Sequence, residues 1–351
     1  MKPFIMKKFN IHSVQKNENL KSIAALYRIE ADALKLFHNN RCEVKDMILI
    51  DLTRQTELFI PRTAVADKNK LVKFGRGNRL VFRPENSFCK YGVVISFETG
   101  NHKNELKYET SARWLKYENK LHFFEIDRIS NLYLNQEEVN EIADMLAYKT
   151  SKVLYPLQVS VDEYGKFNQV ENIESFKERW NKIREEVYKE FEGEIVDEYC
   201  RKIEEIIYEE DAINLYLKND YFLRTIFLGI YQSFGNTFQI EIEKGFPIIN
   251  NPIEPKYKIH IETDPVKDEY DLVHIAGEGK LNDERSVSDL INGYPFSMII
   301  ADDPVMNEEG NFRIAYYLNG ETLLPESLYL ECSIMQEEEK KISVVVTAIT
   351  E

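Results

Sequence analysis

The side chains able to do chemistry are dispersed, and their spacing assembles no strong catalytic constellation. The six histidines are His12, His38, His102, His122, His260 and His274. His122 with Glu125 and Asp127 comes nearest to a metal cluster, yet on a strand Glu125 points away from His122, because three is an odd step. His260 and His274 fall on neighbouring predicted strands, where histidine pairs are usually structural. Asp302-Asp303-Pro304 follows the apolar Met298-Ile299-Ile300. Paired acids at a strand end suit general acid-base work, but adjacent acids before a proline also form a turn, and the turn is the favoured reading. An enzyme would need a pocket uniting side chains distant in sequence, such as Asp302 with His260 or His274. No His-Glu-x-x-His, Gly-x-Ser-x-Gly or Walker-type stretch is present. Gly75-Arg76-Gly77 lacks the strand-before, helix-after setting of a phosphate loop and reads as a turn. The expectation is a non-enzymatic protein with no catalytic residues, no metal and no cofactor.

Composition narrows the partners. The 351 residues, 43% of them hydrophobic, allow two or three compact units with a sizeable core. The net charge of −15 is spread along the chain, with no concentrated basic face, which argues against nucleic acid as the main partner. Cys42, Cys89, Cys200 and Cys332 are too far apart in sequence for a zinc knuckle or dithiol motif and read as ordinary thiols of a reducing compartment. The opening MKPFIMKKFNIHSVQ has no apolar signal core, and no apolar run approaches the roughly 20 residues of a membrane span. These features predict a chain that is cytoplasmic as synthesised, with no membrane partner, although a larger apparatus would be able to export it.

From 9 to 61 the pattern predicts strand, helix, helix, strand. Residues 11–15 are β-prone, and Asn17-Glu18-Asn19 offers caps for a helix whose inner face carries Leu20, Ile23, Ala24 and Tyr27. A second helix over 31–37 should turn Leu34 and Phe37 inward, and Leu58-Phe59-Ile60-Pro61 should close the unit as a strand. Val14-Gln15-Lys16-Asn17-Glu18-Asn19-Leu20, Ser22-Ile23-Ala24, Tyr27, Leu34 and that closing strand resemble the LysM domain, a small βααβ module. The resemblance covers about one seventh of the chain. It implies a shallow groove for N-acetylglucosamine units of peptidoglycan or chitin, formed here by Asn17, Glu18, Asn19, Leu20, His38, Asn39 and Asn40. This chain departs from the family pattern in three ways. Asn17-Glu18-Asn19 replaces the usual Gly-Asp-Thr, His38 stands where an asparagine usually ends the second helix, and the stretch before Ile60 carries an extra apolar run, 47–52.

LysM-like modules also occur as protein-docking parts of contractile injection machines, including phage-tail-like baseplates and bacterial type VI secretion systems. That usage implies an adaptor whose partner is a spike, baseplate or effector protein. The alternatives implied by the resemblance are a peptidoglycan-binding cell-wall protein, or a hydrolase or effector targeted by its LysM.

After a polar stretch at 63–78, expected as a linker, the pattern predicts a large α+β domain over 79–351. Strands are expected at 80–83, 91–98, 105–114 and 120–127. Asn135-Gln136-Glu137-Glu138 reads as a helix cap, opening a helix over 136–148. Val153, Tyr155, Leu157, Val159 and Val161 alternate as a strand, with a turn at 162–166. Helices are expected over 172–232, the first capped by Asn172 and buried along Ile173, Phe176, Trp180, Ile183, Val187 and Phe191. Glu185-Glu186, Glu204-Glu205 and Glu209-Glu210-Asp211 should form their solvated faces. Six alternating strands over 236–350 should join the earlier ones in one antiparallel sheet against which the helices pack.

Overall fold

The computed structural model describes residues 9–16, 18–61, 64, 67, 70–138, 142–249, 253–268, 270–298 and 309–349. Within them lies a mixed α+β arrangement with two separate hydrophobic clusters. The first cluster belongs to a small βααβ unit. Strand β1 (Phe9–Ser13) pairs antiparallel with β2 (Glu57–Pro61), and α1 (Leu20–Leu26) and α2 (Ala31–Asn39) pack Leu20, Ile23, Ala24 and Leu34 against Leu58 and Ile60. Helix α1 starts where it does because Asn19 caps it. The Asn19 side chain accepts the Ser22 N–H at 2.7 Å, and the Ser22 hydroxyl oxygen accepts the Asn19 N–H at 3.0 Å. On α2 the second buried side chain is His38, not the expected Phe37. Positions 34 and 38 are four apart and share a face, whereas Phe37 sits half-buried beneath the Arg41 guanidinium.

The expected linker is partly strapped down. The Val72 N–H donates to the Pro265 carbonyl at 3.0 Å, the Lys267 N–H to the Lys70 carbonyl at 2.7 Å, and Leu71 bridges Val266. The Gly75-Arg76-Gly77 turn is present, with the Gly75 N–H bonded to the Arg79 carbonyl at 2.8 Å.

The remaining elements, in chain order, are β3 (Phe88–Thr99), β4 (His102–Glu118), β5 (Leu121–Arg128), β6 (Tyr133–Leu134), β7 (Glu137–Glu138), α3 (Ile142–Ser151), β8 (Leu157–Asp162), β9 (Phe167–Val170), α4 (Glu174–Glu190), α5 (Glu194–Tyr208), α6 (Glu210–Lys218), α7 (Tyr221–Ile226), β10 (Gln239–Gly245), β11 (Lys256–Thr263), β12 (Leu272–Leu281), α8 (Val287–Asn292), β13 (Gly310–Asn319), β14 (Pro325–Met335) and β15 (Glu339–Ala348). Strands β3 to β15 form one antiparallel sheet. Its main path runs β10-β11-β12-β13-β14-β15-β3-β4-β5-β8-β9, with the β6–β7 hairpin attached to β4. The two strand groups predicted from alternation meet where β15 pairs β3, from Lys340↔Thr99 to Ala348↔Tyr91. One face is apolar along successive strands: Tyr91, Val93 and Ile95 on β3, Ile342, Val344 and Val346 on β15, Leu328, Leu330 and Cys332 on β14.

That face is covered from within the chain by α7 and the irregular segment after it. Phe222, Leu223, Ile226, Phe227, Ile230, Tyr231 and Phe234 are all buried there. Two buried hydroxyls anchor the segment: the Tyr231 hydroxyl donates to the Leu323 carbonyl at 2.7 Å, and the Tyr316 hydroxyl on β13 donates to the Thr225 carbonyl at 2.7 Å. The segment is pinned to the 162–166 turn. Gly165 has φ +71°, and a β-carbon there would lie 2.2 Å from the Tyr231 ring, so the turn tolerates glycine alone.

Several local expectations shift. Residues 80–83 form no strand, although Leu80 and Phe82 are buried, because the Leu80 N–H turns to the Gln232 carbonyl instead of a ladder. Asn135 and Gln136 do not cap a helix. Both have positive φ (52° and 73°) and make the two-residue turn of the β6–β7 hairpin, a conformation that asparagine tolerates. The strand expected from Val153 begins at Leu157, after Pro156, which has no N–H to donate to a ladder. Asn172 is not a cap. Its side chain accepts the Gln158 N–H at 2.9 Å and donates to the Pro156 carbonyl at 2.9 Å, tying the start of α4 to β8. The α4 stripe is buried as expected at Phe176, Trp180 and Val187. Glu204 leaves the solvated face to accept the Trp180 indole N–H at 3.0 Å and pair with Arg184.

Tyr231→Phe would leave the Leu323 carbonyl buried without a donor, at a cost of about 1–3 kcal/mol. Urea unfolding of the full chain should show that loss; an unchanged midpoint would mean that the hydroxyl contributes nothing.

Candidate functional site

The predicted groove residues of the βααβ unit are engaged in holding it together. Asn17 lies outside the described residues. Glu18 folds back: its Oε2 accepts the Gln15 N–H at 2.8 Å and meets His12 Nε2 at 2.8 Å, while His12 Nδ1 lies 3.1 Å from the Tyr27 hydroxyl. Asn19 is the α1 cap. Leu20 is a core residue whose N–H donates to Asp51 Oδ1 at 2.8 Å. His38 is buried, with Nδ1 accepting the Phe59 N–H at 3.1 Å and Nε2 facing the Asp46 carbonyl at 3.1 Å. The first bond fixes the ring proton on Nε2, so one side chain ties α2 to β2 and to the 44–46 turn. Asn39 clamps the backbone of Ile48 from both sides, donating to its carbonyl at 2.9 Å and accepting its N–H at 2.8 Å. Of the described groove residues, Asn40 alone is exposed.

What this internal bonding leaves outward is apolar. The clamp on Ile48 and a Lys35 Nζ bond to the Leu49 carbonyl at 2.6 Å hold the 47–52 stretch beside α2. Ile48 is buried by this, while Leu49 and Ile50 are 82% and 89% exposed. Val44 and, on α2, Leu36 are also exposed, at 85% and 63%. Four aliphatic side chains of this one small unit are thus open to solvent. The sequence contained the signal, an apolar run longer than the module's small core can absorb, but not its direction.

The side of the unit carrying Gln15, Glu18, Ser22 and Leu26 faces a cleft of about 550 Å³, closed opposite by Val72, Phe74, Phe238, Pro265 and Val266. Phe74 and Phe238 are packed together there, with ring centroids 5.2 Å apart.

The dispersed histidines do not converge. His260 lies opposite Glu278 in the β11–β12 ladder, four positions from His274, which puts the two histidines roughly 13 Å apart along the strand. His274 instead stacks on Tyr317 with centroids 4.7 Å apart and sits 3.6 Å from Asp264. Asp302 and Asp303 lie outside the described residues. His122 is buried and accepts the Trp114 indole N–H on Nδ1 at 3.2 Å, while Glu125 and Asp127 occupy the opposite face of β5, as their spacing predicts. Among the described residues no group of three or more His, Cys, Asp or Glu is placed to hold a metal ion. None of the described helices is long and apolar enough to cross a membrane. No protein-family model matches the chain, and no curated protein matches it.

His38→Ala would strand the Phe59 N–H and should weaken the β1–β2 pairing by about 1–3 kcal/mol, read as faster hydrogen exchange at the Phe59 amide. Unchanged exchange would show that the histidine does not hold the strand. His122 gives a pH signature. Burial pulls its pKa below 6.5, against the opposing pull of Glu85 and Glu163, so the unfolded chain takes up its proton first. Its contribution to stability is complete above pH 6.5 and is lost as pH falls toward the lowered folded value. His122→Gln should therefore flatten the loss of thermal stability between about pH 7 and pH 5, and an equally steep loss would contradict the assignment.

Proposed function

We propose that this chain is a non-enzymatic adaptor whose N-terminal unit, a LysM-like module, docks a protein. The observation that carries the reading is the division of labour in that unit. Glu18, Asn19, His38 and Asn39 are committed to internal hydrogen bonds, while Leu36, Val44, Leu49 and Ile50 are turned outward. A sugar is recognised largely through free polar groups; a protein surface is recognised through an apolar centre with a polar rim. The resemblance to LysM-like modules of contractile injection machines supports a spike, baseplate or effector protein as the partner, with the large sheet domain as the part being linked or carried.

A second reading has one observation in its favour. The Phe74–Phe238 pair lines the cleft beside Gln15 and Glu18, and aromatic faces next to polar groups also suit a sugar ring. That arrangement supports peptidoglycan binding in the cleft.

Affinity capture from native lysate, followed by mass spectrometry, and a pull-down with peptidoglycan sacculi separate the two. The adaptor reading expects capture of a spike, baseplate or effector protein and no retention on sacculi. Leu49→Asp combined with Ile50→Asp should abolish capture while changing stability by less than about 0.5 kcal/mol, because both side chains are exposed. Retention on sacculi that disappears with Phe74→Ala would overturn it in favour of the cleft.

A further inference from the structure

A second cavity, of about 260 Å³, lies in the large unit far along the chain from the N-terminal module. Four elements build it: the turn leading into β9 brings Lys166 and Phe167, the end of α6 brings Lys218, α7 and the segment after it bring Arg224, Phe227 and Leu228, and the end of β10 with its neighbour brings Glu243, Lys244, Gly245 and Glu254. The backbone holds these parts in register. The Phe167 N–H donates to the Phe227 carbonyl at 3.2 Å, the Gly229 N–H donates to the Gly165 carbonyl at 3.2 Å, and Lys166 bridges Leu228.

The charges in this cavity do not cancel. Glu254 is taken by Arg224 at 2.7 Å, and Glu243 is paired with Lys256 at 3.6 Å. The ammonium groups of Lys166, Lys218 and Lys244 form no ion pair among the described residues. The Lys244 ammonium reaches the backbone beside Lys166: a β-carbon on Gly229 would lie 3.2 Å from Lys244 Nζ and 3.1 Å from Lys166 Cβ. In a chain of net charge −15, with carboxylates abundant elsewhere, four cationic side chains, Lys166, Lys218, Arg224 and Lys244, line one small hollow against two carboxylates, Glu243 and Glu254.

We propose that this cavity binds a small phosphomonoester, its phosphate seated among Lys166, Lys218, Lys244 and Arg224 and its carbon skeleton against Phe167, Phe227 and Leu228. A doubly charged phosphate matches the excess of cations better than a single carboxylate, and lysines bind phosphate as mobile point charges. The hollow exceeds the needs of a bare phosphate, and its aromatic and aliphatic walls, with Phe227 and Leu228 buried, suit an attached organic group. Lys244 is consistent with this. Burial first, then Lys166 and Arg224, bring its pKa down to about 8, against the opposing pull of Asp162. A bound dianion would restore the missing counter-charge.

The test uses the full chain, with glycerol 3-phosphate, inorganic phosphate and citrate compared against chloride at equal ionic strength, by calorimetric titration and thermal melting. Glycerol 3-phosphate should bind saturably and raise the melting temperature. Lys244→Met should weaken it about tenfold or more, yet melt no lower than the parent without ligand, because an uncompensated charge is gone. Lys218→Gln, at an exposed position, should also weaken binding and guards against misfolding as the cause. A chloride control that reproduces the shift, or unchanged binding by both variants, would overturn the proposal. Equal affinity for inorganic phosphate would overturn the role of the apolar walls, and equal affinity for citrate would overturn the selectivity for phosphate.

Discussion

The large unit depends on one constraint: the apolar face of its sheet has to be covered by its own chain. Residues 221–234 do this, with the Tyr231 hydroxyl bonded to the Leu323 carbonyl and the Thr225 carbonyl bonded by the Tyr316 hydroxyl, while the Thr225 hydroxyl is buried without a partner among the described residues. Once that segment is seated, it fixes its neighbours. Gly165 lies against the Tyr231 ring, Phe82 stacks on the same ring at 4.5 Å, and the 162–166 turn is carried to the end of β10. The basic cavity is thus a by-product of core filling, placed where the covering segment leaves the sheet.

The small unit solves a different problem. Its core is little more than Leu20, Ile23, Ala24, Leu34, Ile48, Leu58 and Ile60, too few side chains to hold long loops by apolar burial alone. Polar clamps take over: His38 between α2 and β2, Asn39 around Ile48, Asp51 at the start of α1. Side chains spent in this way are withdrawn from the surface, and Leu36, Val44, Leu49 and Ile50 are left exposed beside them.

Period-two alternation made most of the large sheet legible before any coordinates. Isoleucines at 240 and 242, 259 and 261, and 342 with valines at 344 and 346 all lie on described strands. Local patterns failed where a distant partner decided the outcome. Leu80 and Phe82 look like strand residues but are bonded and buried against 231–232, and Glu204 looks like a surface acid but meets an indole twenty-four positions away. Asn135-Gln136 misled for a local reason, since the same polar residues cap helices and occupy tight hairpin turns. The candidate site was half legible. The resemblance drew attention to the loops before α1 and after α2, but a hydrogen bond between His38 and the backbone of Phe59 has no signature in spacing. The basic cavity had none either, because its cations come from four elements spread between 166 and 244.

The pairing of β15 with β3 has a consequence during synthesis. Thr99 faces Lys340, so one edge of β3 leaves the ribosome about 240 residues before the strand that will cover it. At about 5–20 residues per second, that edge waits roughly 12–50 s with only its β4 side paired. For that interval Tyr91, Val93 and Ile95 present an open, β-prone border to any other nascent chain. Yield from a crowded polysome then depends on how the cell shields this border, through chaperones, or shortens its exposure by rapid elongation, as well as on the stability of the finished sheet.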